Sequence, residues 1–148
     1  AIPISQTAAF LEELKVLIES QFHVQFPIEI RFVKADNFWL SPAYKQDMCY
    51  VGSKSHLLPG ARFNYEPYFK AVNALAERYQ GRPHWAKQFY TSPEYLSAVY
   101  NKWQDFWVLC SLLDPDHIFR NDWLSTLAYS PDANECALFQ SRYDCHAL

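Results

Sequence analysis

Glu29 and Arg31 stand two residues apart in "PIEIRFV". On a β-strand that spacing sends both side chains out of the same face. If the face lines a cleft, the carboxylate is an acceptor for substrate hydroxyls and the guanidinium a fixed cation ~7 Å farther along the strand. If the face is solvated, they form an ordinary surface pair of little energetic weight. His84 and Lys87 fall in "GRPHWAK", a turn signalled by Gly81 and stiffened by Pro83. Taken alone, this stretch also reads as a helix exit with Trp85 tucked against the core. Asn121, between Phe119 and Trp123 in "FRNDWL", suits either a donor to something buried or a cap or turn.

Other chemistries lack their residues. No second histidine stands at metal-ligand spacing from His84, and His23, His56, His117 and His146 are dispersed. In "LDPDHIF", Asp114 and Asp116 flank Pro115, which suits a type I turn better than a cation site. There is no G-x-S-x-G, no P-loop and no G-x-G-x-x-G, so the chain has no phosphate cradle of its own.

The elements that must position these residues can be read from period and punctuation. Phe10, Leu11, Leu14, Leu17 and Ile18 predict an amphipathic first helix capped by Ser5 or Thr7. "FPIEIRFV" alternates as a strand, with Ile28, Ile30 and Phe32 opposite Glu29 and Arg31. "DMCYVGS" reads as a second strand, and "NYEPYFKAVNALAERY" as a helix ending near Gly81. Ser92 and Pro93 open the longest helix, "PEYLSAVYNKWQDFWVLCSLL", which "DPDHIF" stops. The end of the chain shows no firm period, so residues 125–148 are expected to be an irregular tail after a domain of residues 1–124. The fold class is α+β, a small antiparallel sheet covered by about three helices. Two or more strands beyond these two are expected, because a two-stranded sheet is marginal alone.

Bulk composition agrees. The chain has 148 residues, one domain's worth, and folding would bury roughly two-thirds of its unfolded surface. Aromatic content is high, at 18 %. That implies a heavy core or a ring-stacking surface, and composition does not separate the two. A net charge of −3 with scattered basic residues argues against a nucleic-acid or anionic-membrane partner. No apolar run approaches the ~18 residues of a membrane span. Cys49 and Cys110 sit in apolar stretches as core residues. Cys136 and Cys145 bracket a polar segment and could close a small loop in an oxidising compartment. The chain opens at Ala1 without methionine, so it is expected to be processed, trimmed or part of something longer.

In order, "PIEIRFVKADNFWLSPAYKQDMCYVG", "GRPHWAK" and "LDPDHIFRNDWL" resemble the C-terminal part of the sugar-1,4-lactone oxidases. These are the gulonolactone, galactonolactone and arabinonolactone oxidases of the vanillyl-alcohol-oxidase flavoprotein group. The resemblance covers roughly residues 24 to 124, with E-x-R and H-W-x-K its most specific parts. "FRNDWL" departs from the family's F-L-N-x-Y-L at Arg120 and Trp123 but keeps Asn121.

The resemblance implies an FAD enzyme oxidising an aldono-1,4-lactone by hydride transfer to flavin N5, with oxygen as acceptor and hydrogen peroxide as product. It implies catalytic roles for Glu29, Arg31, His84 and Lys87, and cofactor-binding roles for Arg31, Lys87 and Asn121. The FAD-binding domain would lie outside these residues, on a partner chain or a cleaved fragment. A surface that normally covers such a domain should expose an apolar aromatic patch in the lone chain. A second reading from the residues alone is a non-catalytic sugar-binding module whose 26 aromatics form stacking platforms.

Overall fold

Glu29–Val33 (β2) and Met48–Gly52 (β3) pair antiparallel, and Ile2–Pro3 (β1) adds to the far side of β3, giving the order β1-β3-β2. The computed structural model describes residues 1–22, 24, 27–54, 64–129 and 133–143 of the chain. They fall into two units, residues 1–91 and 92–148. With six helices among the described residues, the arrangement is the expected α+β class.

In the first unit the β2–β3 register sets Glu29 opposite Gly52, Arg31 opposite Tyr50 and Phe32 opposite Cys49. Directly opposed residues share a face. One face therefore carries Glu29, Arg31, Tyr50 and Gly52, and the other Ile2, Ile30, Phe32, Cys49 and Val51. The helices Ile4–Gln21 (α1) and Glu66–Arg78 (α2) cover the second face. Its core is Ile2, Phe10, Leu14 and Leu75, with Ile28, Val51, Val72 and Tyr79 packed against it. The expected alternation of β2 holds, but the cover stops short of its far end, where Ile30 is 44 % and Phe32 69 % exposed.

Several local expectations need correction. Among the described residues one further strand joins the sheet where two or more were expected, and it is only two residues long and ends in proline, too short to show a period. The first helix has no side-chain cap: Thr7 Oγ1 donates back to Pro3 O at 3.0 Å inside the helix, and Ser5 is exposed. The long helix predicted from Pro93 is two, Pro93–Val99 (α3) and Trp103–Leu113 (α4). Tyr100 is extended (φ −108°, ψ 99°), which buries its ring and stacks it on Trp103 at 6.4 Å. The predicted start is right, with Ser92 Oγ accepting from Tyr95 N and Pro93 in the first turn.

The region expected to be an irregular tail contains the end of one helix, Asp122–Leu127 (α5), and a whole one, Ala133–Tyr143 (α6). Asp105 of α4 holds α6: Lys102 Nζ (2.6 Å), Tyr143 Oη (2.7 Å) and Arg142 Nη1 (3.2 Å) all donate to its carboxylate. Phe139 is buried on the same helix. Part of the aromatic content is thus core, since Phe10, Tyr68, Tyr100, Trp103, Trp107 and Phe139 are all buried, while Phe32, Phe38, Phe119 and Trp123 are exposed. No helix among the described residues is long and apolar enough to cross a membrane. Cys145 lies outside the described residues, so the loop drawn from Cys136 to it does too.

Candidate functional site on the open face of the sheet

The face of β2 and β3 turned away from α1 and α2 carries the E-x-R pair. Arg31 donates to Glu29 Oε1 from Nε (2.9 Å) and Nη2 (2.7 Å), and Lys54 Nζ reaches Glu29 Oε2 at 2.8 Å. Each carboxylate oxygen therefore has its own cation. The carboxylate lies over Gly52, where an added Cβ would stand 3.4 Å from Glu29 Cβ and Oε2. The hydrogen bonds from Arg31 and then Lys54 hold the Glu29 carboxyl down at about 2. Glu29 is thus an anion throughout the physiological range, and its side chain is still 35 % exposed.

The second motif reaches this face through the end of α2. The helix closes with Gln80 left-handed (φ 55°), Gln80 N donating to Glu77 O and Gly81 N to Ala76 O. That paired closure is a Schellman motif. Gly81 is required by space, because a Cβ there would come within 2.7 Å of Ala76 O and 2.9 Å of Ile2 Cδ1.

After Gly81, alternate anchors tie the turn to the 36–45 loop. The buried Arg82 donates from Nη1 to Pro42 O and Tyr44 O, each at 3.1 Å, and Trp85 Nε1 donates to Leu40 O at 2.7 Å. With these two turned inward, His84 and Lys87 stay exposed.

His84 stands edge-on to Tyr50, with ring centroids 6.4 Å apart. Its Nδ1 accepts from Ala86 N at 3.1 Å, so the neutral ring carries its proton on Nε2, a donor for whatever lies beyond. Tyr50 is the cross-strand neighbour of Arg31. Burial, and next the charge of Asp36, push its phenol upward, so it stays protonated. Glu29, Arg31, Tyr50 and His84 are therefore contiguous. Lys87 follows in the same turn, its N–H bonded to His84 O at 2.9 Å.

Neither Tyr50 nor Lys54 stands out as a site residue in the sequence. The signal was the period-two string Tyr50, Gly52, Lys54 running antiparallel to Glu29 and Arg31.

Asn121 belongs to the second unit. It caps α5, its Oδ1 accepting from Leu124 N at 2.8 Å, which is the capping use the sequence left open. Its amide nitrogen is the group left to donate. Arg120, the departure beside it, lays its guanidinium over Trp107 at 5.6 Å. Asp114 is a turn residue, accepting from Ile118 N and Phe119 N. No group of three potential metal ligands exists among the described residues.

The arrangement is thus an anionic acceptor fixed between two cations, joined through Tyr50 to a ring N–H donor. It suits a polyhydroxylated ligand next to a second group that accumulates negative charge.

Residues 1–127 match the family model described as D-arabinono-1,4-lactone oxidase. An L-gulonolactone oxidase of Scyliorhinus torazame is 36 % identical over 126 residues, covering 84 % of this chain and 29 % of the relative. An L-gulono-1,4-lactone dehydrogenase of Mycobacterium tuberculosis (strain ATCC 25618 / H37Rv) is 39 % identical over 100 residues, covering 68 % and 22 %. An alditol oxidase of a Streptomyces species is 32 % identical over 104 residues, covering 67 % and 23 %. The chain spans less than a third of the length of these relatives.

Proposed function

The chain belongs to the D-arabinono-1,4-lactone oxidase family, and from that premise we propose that it forms the substrate-side wall of an FAD-dependent oxidase acting on an aldono-1,4-lactone. The FAD-binding domain is supplied by another part of the enzyme, as a separate chain or a cleaved fragment. The observation that carries this reading is the Glu29 carboxylate fixed between Arg31 and Lys54 on an open face continuous with His84.

The residues fit a flavin in one respect and not another. Nothing among the motifs cradles phosphates, so the nucleotide end is held elsewhere. Arg31 and Lys87 supply positive charge suited to the ring end, which becomes anionic on reduction; Asn121, in the second unit, is a further donor that the family resemblance assigns to the cofactor. When bound, the flavin supplies the hydride acceptor at N5, and oxygen afterwards removes the electrons as hydrogen peroxide.

This chain's own residues handle the sugar and the proton. Glu29 accepts hydrogen bonds from the lactone hydroxyls. Held at about 2, it is too weak a base to ionise a resting alcohol. A hydroxyl whose carbon is losing hydride becomes a far stronger acid than any carboxylic acid, so Glu29 takes the proton late, as the C–H bond breaks. Arg31, held in place on Glu29, stabilises negative charge where it develops, and Lys87 adds its charge from the exposed turn. His84 presents Nε2–H to a lactone oxygen and orients the ring.

The test uses the intact enzyme that carries this chain. It should be yellow, and an aldono-1,4-lactone added without oxygen should bleach it. Glu29→Gln should slow that bleaching by ~10²-fold or more, with the yellow colour retained. A colourless intact enzyme, or bleaching indifferent to Glu29→Gln, would overturn the proposal.

A further inference from the structure

We propose that Gly52 is a positioning residue for Glu29: the space left by its missing side chain lets the Glu29 carboxylate lie down on β3, where Lys54 reaches it. The register sets the two residues directly opposite each other. Alternation along β3 turns Tyr50, Gly52 and Lys54 to one face, so the bare position falls between a ring and an ammonium.

Glycine in a paired strand answers to a left-handed backbone, a bulge or something approaching closely. Gly52 is not left-handed, and its ladder with β2 runs unbroken from Glu29↔Gly52 to Val33↔Met48. Close approach remains. The three atoms nearest to an added Cβ all belong to Glu29: its Cβ and Oε2 at 3.4 Å and its carbonyl oxygen at 3.7 Å. Directly opposed side chains ordinarily keep their Cβ atoms about 4.5–5.5 Å apart. A methyl group at 3.4 Å makes contact without collision, but it leaves no room for further atoms on the side toward Glu29. Gly81 differs, because there even a Cβ collides with the backbone.

The consequence is electrostatic. Arg31 leaves the same strand as Glu29 and can follow its carboxylate, whereas Lys54 reaches Oε2 from β3, past the bare position. A branched side chain at residue 52 would lift the carboxylate away from Lys54. A carboxylate kept low also leaves the space above the sheet to the lactone whose hydroxyl it receives. That last step rests on the lactone-oxidase reading; the placement of the carboxylate is testable without activity.

Carbon-detected NMR of the Glu29 carboxyl in the intact enzyme is the test. Gly52→Ala should leave its midpoint at about 2, and Gly52→Val should raise it at least halfway to the ordinary 4.5. In a Lys54→Met background Gly52→Val should raise the midpoint by less than it does alone, because the contact it breaks is already gone. Gly52→Val should also slow anaerobic bleaching by the lactone ~10–10²-fold, as displacement of a reacting group does. Its melting temperature should not fall, because β-branched residues suit a strand and this face is open.

An unmoved midpoint in Gly52→Val would overturn the inference. So would equal shifts in the alanine and valine variants, full additivity with Lys54→Met, or a lowered melting temperature. The two readings fail separately. A yellow, lactone-bleached enzyme whose midpoint ignores Gly52→Val removes the role of Gly52 alone. A colourless, lactone-inert enzyme whose midpoint rises in Gly52→Val removes the flavin reading and leaves that role standing.

Discussion

Tyr50 lies directly across the ladder from Arg31, and its ring meets the imidazole of His84 edge-on at 6.4 Å. One aromatic side chain thus joins the E-x-R strand to the H-W-x-K turn. An edge-to-face pair is worth ~0.5–1.5 kcal/mol, which is about two- to twelvefold in rate if it positions a reacting group. Tyr50→Phe keeps the pair and should leave kcat/KM of the intact enzyme within about twofold of normal. Tyr50→Ala should lower it by the full range. Equal losses in the two variants would mean that the hydroxyl acts instead.

Glu29 gives a direct electrostatic prediction. Its carboxyl is held at about 2, against an ordinary 4.5, by hydrogen bonds from Arg31 and then Lys54. A depressed carboxyl contributes stability that is fully present above its unfolded value and is lost as pH falls through the folded one. The clamp should therefore hold from neutral pH down to about 4.5 and open progressively toward 2. Carbon-detected NMR of the Glu29 carboxyl should follow this. Arg31→Met should raise the midpoint most and Lys54→Met less, and a Glu29 midpoint near 4.5 in the unaltered protein would refute the clamp.

The site residues were legible because each motif is short and local. E-x-R needs only strand period, and the helix exit before "GRPHWAK" needs only Gly81. What was not legible depends on pairing. Lys54 becomes a partner of Glu29 only through the β2–β3 register, and Tyr50 becomes a bridge only once His84 folds back onto it. The fold shows the same division. The α+β class, the end of α2 before Gly81 and the start at Pro93 follow from local signals. The break at Tyr100 follows from burying a ring, and α6 was missed because only Phe139 of its side chains is buried while Leu138 is exposed. One apolar anchor gives no period.

Gly81 should tolerate no side chain. Its Cβ would meet Ala76 O at 2.7 Å, Ile2 Cδ1 at 2.9 Å and Ala76 Cβ at 3.0 Å, and the carbonyl cannot move without opening the closure of α2. Overpacking of this kind costs ~1–3 kcal/mol, so Gly81→Ala should lower the unfolding midpoint in urea accordingly. The strain also pushes on the turn that carries His84 and Lys87. The intact enzyme should therefore lose lactone turnover beyond what the fraction unfolded explains. Gln80→Gly, which relieves the left-handed residue next door, should instead be neutral or stabilising by up to about 1 kcal/mol.

Asp105 is the corresponding keystone of the second unit, its side chain 15 % exposed and its two oxygens taking Lys102, Tyr143 and Arg142. Burial alone would raise its carboxyl, but the hydrogen bonds from Lys102 and Tyr143, with the nearby cations, outweigh that and leave it below the ordinary 3.8. Its contribution is thus present above the unfolded value and fades below it as acid protonates the folded carboxyl. Asp105→Asn keeps the shape but removes the charge that Lys102 and Arg142 face. A hydrogen bond to a charged group is worth ~1.5–3 kcal/mol, and the loss should fall on α6, which has few other anchors. Exchange of the amides of residues 133–143 should accelerate first, ahead of those in α4. Tyr143→Phe removes one donor of three and should produce a smaller change in the same amides. If α4 and α6 loosened together, α6 would be held mainly by apolar packing around Phe139, and Phe139→Ala would then be the more damaging change.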